Sequence, residues 1–207
     1  CCICTDDLIL RDRARRRHSA RPHVDGRRTS IACSACASVA IAVTPFLADK
    51  PSTLSFEQAC TLPVTWSTTH AAVERATLCA GSSIIVQAAA GGVGLKAVEY
   101  GQWLGASALG TAGRPHKHSQ LRDVGVSALC SSRDGAAFAA GATTLLASAR
   151  SHAALNSLCL DFIAATLAVL VEGGAFEEIG KRGIWPSDRH LASASASSYC
   201  TIALDAD

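Results

Sequence analysis

No methionine occurs anywhere in the 207 residues, and Cys1 stands where a translation start would lie. The chain is therefore expected to be a segment of a longer polypeptide. Aromatic residues are scarce at 5%, and neither sign of charge dominates, the formal net charge being +2. That balance supplies no global field to draw nucleic acid or an acidic substrate. Long hydrophobic runs are missing as well. The longest, such as FIAATLAVLV over Phe162–Val171, is about half of the roughly 20 residues that cross a bilayer. No leading segment has the basic, apolar and small-residue order of a secretory signal. Neither a membrane nor a nucleic acid is expected as a partner, and a cytoplasmic location is expected.

No cysteine pair follows Cys36, while Cys1, Cys2 and Cys4 crowd the start. Ten cysteines are present, and Cys33 and Cys36 form one CxxC, but Cys60, Cys79, Cys130, Cys159 and Cys200 are scattered singly. A structural zinc site needs two pairs at matching distance. No metal is expected, and the thiols read as small hydrophobes or exposed groups in a reduced compartment.

What is present is enough to build a core: 49% of residues are hydrophobic and 16 are glycine. The character changes near residue 37. Arg11–Arg28 (RDRARRRHSARPHVDGRR) holds eight of the nineteen basic residues, without apolar periodicity or interleaved aromatics. Residues 1–36 are therefore left unassigned and expected to be a solvated, disordered tail. Beyond it, Ser38–Phe46 (SVAIAVTPF) resembles a short strand. Ser55 stands as a cap before a helix that Pro63 interrupts, and Thr65–Thr77 predicts a second helix.

From there strand and helix patterns alternate. Strands are predicted over Ser83–Ala88, Ser107–Thr111, Ser127–Ser131, Ala153–Ser157, Ala175–Gly180 and Tyr199–Leu204. The helices between them fall at Gly92–Leu104, His116–Val124, Ala136–Ala149 and Leu160–Val171. Nearly continuous apolar strands separated by helices indicate a parallel sheet covered on both faces. Right-handed crossovers make it an α/β, Rossmann-type doubly wound fold, in which ligands sit at the carboxyl ends of the strands.

The stretch VQAAAGGVGLKAVEY (Val86–Tyr100) lacks the first glycine of the dinucleotide fingerprint G-x-G-x-x-G. Ala89 stands there, while Gly91 and Gly94 match the second and third positions. Alanine is tolerable if the turn keeps φ negative at that residue. The second glycine lets backbone approach a pyrophosphate, and the third lets helix pack on strand. A helix beginning near Gly92 points free N–H groups at such an anion. A tight turn without ligand is the competing reading. The end of the second predicted strand, Thr111-Ala112-Gly113-Arg114-Pro115-His116-Lys117, lacks the carboxylate that would hold an NAD ribose. Arg114 and Lys117 instead offer cations where a 2′-phosphate would lie, so NADPH is the expected cofactor.

Four runs carry a family resemblance: LSFEQACTLPVTWSTTH (Leu54–His70), AAAGGVGLKAVEYGQWLGA (Ala88–Ala106), LNSL (Leu155–Leu158) and EEIGKRGIW (Glu177–Trp185). Together they resemble the enoylreductase domain of polyketide synthases. That domain is a zinc-free member of the medium-chain dehydrogenase/reductase superfamily, close to the fatty acid synthase enoylreductase. The resemblance implies NADPH-dependent reduction of a trans-2-enoyl thioester carried on acyl carrier protein. It also implies neighbouring synthase domains, with a homodimer of the parent synthase as one assembly. Residues 37–54 are then a remnant of the GroES-like substrate domain, and 55–207 a C-terminally truncated NADP-binding Rossmann domain. On the same grounds Gly91, Gly92 and Val93 form the pyrophosphate turn, and Lys117 contacts the 2′-phosphate. Asn156 and Ser157 lie beside the nicotinamide half, Lys181 is the proton donor, and Asp205 is its acidic partner. Ala90, Gly94, Thr111, Arg114 and Gly180 complete the expected cofactor site.

The pattern departs from the family in places. Residues 1–36 do not resemble the β-rich domain that normally precedes the Rossmann unit, and His152-Ala153-Ala154 replaces the Asp-containing strand that usually leads into LNSL. A free-standing quinone or enone reductase of the same superfamily, and a degenerate fragment without activity, remain the alternatives.

Overall fold

The computed structural model describes residues 48–147, 149–159 and 161–203 in full, and before them the backbone alone of short strands. Asp205 lies outside the described residues. The chain divides into two compact units, residues 1–67 and residues 68–207.

The first unit contains β1 (Cys2–Ile3), β2 (Asp7–Arg11), β3 (His23–Asp25), β4 (Arg28–Ile31), β5 (Ala40–Val43) and β6 (Leu47–Asp49). β1, β4 and β6 form one antiparallel sheet, while β3, β2 and β5 form a mixed one in which β2 pairs antiparallel with β3 and parallel with β5. The first four strands precede Ala37, where no element is read from the sequence. Helix α1 (Phe56–Cys60) starts at Ser55. The Ser55 hydroxyl accepts the Gln58 N–H at 3.2 Å, and the Ser55 N–H donates to Gln58 Oε1 at 2.9 Å, so two helix-end donors are satisfied reciprocally. Helix α2 (Leu62–Arg75) begins after Thr61 with Pro63 in its first turn, where a missing N–H costs nothing.

The second unit is the doubly wound fold. Its elements are β7 (Ser83–Val86), α3 (Gly92–Trp103), β8 (Ser107–Ala112), α4 (Pro115–Asp123), β9 (Ala128–Ser131), α5 (Gly135–Leu146), β10 (Ser151–Asn156), α6 (Asp161–Leu167), β11 (Leu170–Glu178), α7 (Ser187–Ala194) and β12 (Ser198–Thr201). Strand order is β9-β8-β7-β10-β11-β12, and every pairing is parallel. The order reverses between β7 and β10, which is where such sheets open a crevice.

Alternation along β7 explains the two cores. Ile84 and Val86 point into one cluster with Val98, Leu121, Val126 and Leu155. Ile85 points to the opposite face, against Leu109, Phe138, Ile163 and Phe176. Both faces are covered, so the strands read as continuous apolar runs rather than alternating ones.

Two differences from the sequence reading concern β11 and α7. The apolar pattern of Phe162–Val171 predicts helix to its end, but α6 stops at Leu167 and Leu170 already pairs with Ser151. A short apolar run fits either a buried helix or a buried strand, and strand pairing decides it here. The register then shifts between Ser151 and Ala153, and Gly173 at φ +76 forms the irregularity. Helix α7 is an element the sequence pattern does not announce. Among its residues His190 is buried, and its ring packs on Tyr199 at 5.4 Å.

Candidate functional site

The turn between β7 and α3 is held from the neighbouring strand. Ala88 takes φ +50, a left-handed conformation uncommon for a residue with a β-carbon. Ala89, where the fingerprint glycine is missing, is not among the positive-φ residues. The strain therefore sits one residue earlier. The Ala88 N–H donates to Thr111 Oγ1 and the Ala89 N–H to the Thr111 carbonyl, each at 2.9 Å. Thr111 Oγ1 in turn donates to Gln87 Oε1 at 2.9 Å, and Gln87 Nε2 donates to Thr166 Oγ1 at 2.9 Å. Gln87, Thr111 and Thr166 are all buried, so each bond is costly to break. A satisfied buried polar chain thus runs from α6 through β7 to β8 and fixes the turn.

Gly94 is required by packing. A β-carbon there would stand 2.6 Å from Ala89 Cα and 2.7 Å from the Ala88 and Ala89 carbonyl oxygens. Helix α3 can approach the turn only without one, which is the packing role of the third fingerprint glycine. Gly91 caps the helix with extended backbone at φ −88 and supplies no side-chain hydrogen bond. The first amides of α3, at Gly92, Val93 and Gly94, thus carry the helix's positive end without a side-chain acceptor from the cap.

Beside this turn lies a cavity of about 250 Å³, lined among others by Ala90, Gly91, Thr111, Arg114, Lys117 and Arg133. The structure therefore brings five of the sequence-predicted residues to one concavity at the carboxyl ends of β7 and β8. The volume suits a phosphate and its sugar, while a whole dinucleotide would extend along the open sheet edge. Helix α4 presents its cations here because Pro115 opens it and Arg114 caps it without a side-chain hydrogen bond. Cations at a helix start oppose the dipole. An anion bridging them would offset that cost.

Arg133 is missing from the sequence reading. It lies just beyond β9, and its side chain packs so closely over Gly113 that a β-carbon on that glycine would collide with it. Its signal is the same strand-end rule that identifies Arg114, applied one strand further out. Thr111 lines the cavity, but its hydroxyl is engaged on both sides by the turn and by Gln87, so it shapes the site from behind.

The remaining predicted residues gather at the ends of β10 and β11. Asn156 is fully buried. Its Nδ2 donates to Glu178 Oε2 and to the Leu158 carbonyl, each at 2.6 Å. Gly180 N–H donates to Glu178 Oε1 at 2.6 Å. Burial pushes the Glu178 carboxyl up, opposed by these hydrogen bonds from Asn156 and Gly180. Ser157 is half-buried beside Asn156, and Lys181 is exposed immediately beyond Gly180. The neighbouring Glu177 points to the other face. Burial pushes its carboxyl up to about 7, against the opposing pull of Arg75. Arg75 Nε stands 3.8 Å from Glu177 Oε2, too far for a hydrogen bond.

A larger cavity, about 580 Å³, opens at the beginnings of β10, β11 and β12, between Arg150, Leu167, Leu170, Trp185 and Arg189. It contains none of the predicted cofactor residues and lies at the wrong ends of the strands for this chemistry. Among the described residues no group of three His, Cys, Asp or Glu could hold a metal, and no helix is long and apolar enough to cross a membrane.

Known proteins are similar to this chain in sequence and fold. The chain is 39% identical over 160 residues to the spectinabilin polyketide synthase system protein NorB of Streptomyces orinoci, covering 74% of this chain and 7% of that one. The crystal structure of CurK enoyl reductase matches with a TM-score of 0.73 and 35% identity, over 77% of this chain and 48% of that one. A solved domain assigned as an enoyl reductase of a polyketide synthase matches at 30% identity and a TM-score of 0.60, over 68% of this chain and 78% of that one. The chain thus spans about half of the CurK domain and a small part of the synthase relative. No family model matches it.

Proposed function

Because the chain belongs to the enoyl reductase domains of polyketide synthases, we propose that it forms the cofactor half of an enoyl-thioester reductase using NADPH. The observation that carries this reading is the convergence of the Ala90–Gly91 turn, which caps α3, with Arg114, Lys117 and Arg133 around one cavity. A helix N-terminus receives the pyrophosphate, and guanidinium and ammonium groups beyond it take the 2′-phosphate. The fit is chemical as well as steric, since among the described residues no carboxylate lines the cavity to repel that dianion.

When bound, NADPH supplies a hydride to the β-carbon of a trans-2-enoyl thioester. The chain's own residues must seat the ring, exclude water and return one proton to the α-carbon. Lys181 comes after the end of β11, adjoining the Asn156–Glu178 pair, and is our assignment for the group that holds this proton. Asp205 is its acidic partner in the same proposal. The acyl chain arrives on an acyl carrier protein in the cytoplasm, and the parent synthase supplies the rest of the cleft.

Titration of the chain with NADPH and NADH, followed by nicotinamide fluorescence, tests the reading. NADPH should bind far more tightly than NADH. Failure of both at millimolar cofactor would overturn the proposal.

A further inference from the structure

Asn156 and Glu178 are paired across the parallel β10–β11 ladder, each the last residue of its strand. Their side chains therefore stand on the same face, at the edge where the crevice opens. Each also reaches forward into the loop beyond its strand. Asn156 holds both the N–H of Leu158, to Oδ1 at 3.3 Å, and its carbonyl, from Nδ2 at 2.6 Å. Glu178 uses one oxygen for Asn156 and the other for the Gly180 N–H. The main chain reinforces the junction, with the Ile179 N–H on the Asn156 carbonyl at 2.9 Å and the Ile202 N–H on the Glu178 carbonyl at 2.8 Å. Gly180 is pressed against the pair, and a β-carbon on it would stand 2.6 Å from Glu178 Oε1.

One buried carboxylate thus spans two loops. A Rossmann sheet binds a dinucleotide as two halves on either side of the strand reversal. The cations of the cavity come from the ends of β8 and β9, and among the described residues of the β10 and β11 loops only Leu158 reaches it, so the rest of those loops face the other half. We propose that Glu178 is a positioning residue for the nicotinamide half of the cofactor, fixing the loop of Ser157 and Leu158 against the loop of Gly180 and Lys181. This rests on the proposed NADPH site. Both Glu178 oxygens accept from N–H donors, a demand only a carboxylate meets. Glutamine keeps one acceptor and turns a donor toward a donor.

The test compares two ligands on the full chain: NADPH, and adenosine 2′,5′-bisphosphate, which lacks the nicotinamide half. Glu178→Gln should raise the Kd for NADPH about tenfold, the scale of one buried donor left unpaired, and leave the bisphosphate within about twofold. Gly180→Ala presses on the same junction from the loop side and should give the same split, so it carries the test alone if Glu178→Gln does not fold. The exchanged pair Asn156→Asp with Glu178→Gln restores a donor facing an acceptor between the two side chains but sets a carboxylate oxygen against the Leu158 carbonyl, so it should recover only part of the NADPH affinity. Equal weakening of both ligands would reduce Glu178 to a residue that merely holds the fold, and no weakening of either would also overturn the inference. A wild-type chain that binds neither ligand overturns the proposed function itself, and the inference falls with it.

Discussion

Thr111 Oγ1 accepts the main-chain N–H of Ala88 at 2.9 Å, from the adjacent strand to the turn that precedes α3. That bond holds an alanine at φ +50, where roughly 1–3 kcal/mol of backbone strain is expected. Thr111→Val keeps the shape and removes the hydroxyl, leaving the half-buried Ala88 N–H and the buried Gln87 Oε1 without this partner. The expected loss is about 1–3 kcal/mol of unfolding free energy, read by urea denaturation. Thr111→Ser should retain most of it. A valine variant as stable as the parent would show that the turn needs no such support.

Lys117 and Arg133 approach the same cavity from α4 and from the end of β9. Removing either should weaken NADPH by about 1.5–3 kcal/mol, the worth of a charge-assisted hydrogen bond. NADH lacks the 2′-phosphate and should be barely affected. Fluorescence titrations of Lys117→Ala and Arg133→Ala with both cofactors read the difference. Equal losses for the two cofactors would remove the phosphate assignment.

The fold is legible in the sequence because its signals are local and periodic. A glycine turn before Gly92 and a capping serine at Ser55 fall where the structure has them, and so do the continuous apolar strands, except that β11 begins at Leu170 rather than Ala175. The carboxyl-end rule then locates Arg114 and Lys117. The hidden features depend on contacts across the sheet. The Gln87–Thr111–Thr166 chain joins residues far apart in sequence, and nothing in QAAAGG or GTAGR announces it. Arg133 stays hidden because only the sheet order brings the end of β9 beside the end of β8. The pair Glu177–Glu178 within an apolar strand is visible as an oddity. Only the alternation of side chains, one toward Arg75 and one toward Asn156, reveals that the two carboxyls serve different faces.

Lys181 is exposed at the loop after β11, accessible to a thioester entering from outside the sheet. Under the proposed reaction, Lys181→Ala should lower turnover of a short trans-2-enoyl thioester by about 100-fold, a common contribution from a positioned acid. NADPH affinity should stay the same, because Lys181 is not among the residues lining the cation cavity. Steady-state rates with parallel cofactor titrations separate the two effects. Turnover unchanged in an active chain would exclude Lys181 as the proton source.

Glu177 contributes to the pH dependence of stability. Its carboxyl titrates at an ordinary 4.5 when exposed and at about 7 when folded, because burial disfavours its charge more than Arg75 restores it. A folded-state value above the unfolded one means that the native state holds the proton more tightly. Below about pH 4.5 the group is protonated in both states and costs nothing. Between there and about pH 7 the unfolded chain ionises first, and stability declines. Above that range the full penalty persists, at most about 3 kcal/mol for a gap of this size. Glu177→Gln should therefore stabilise the chain near pH 8 and do little near pH 4.5. Arg75→Ala should destabilise it near pH 8, where its guanidinium is the charge beside the ionised carboxylate. Chemical denaturation of the three proteins across that range checks the sign. Parallel stability curves for the parent and Glu177→Gln would mean that Glu177 ionises as easily folded as unfolded.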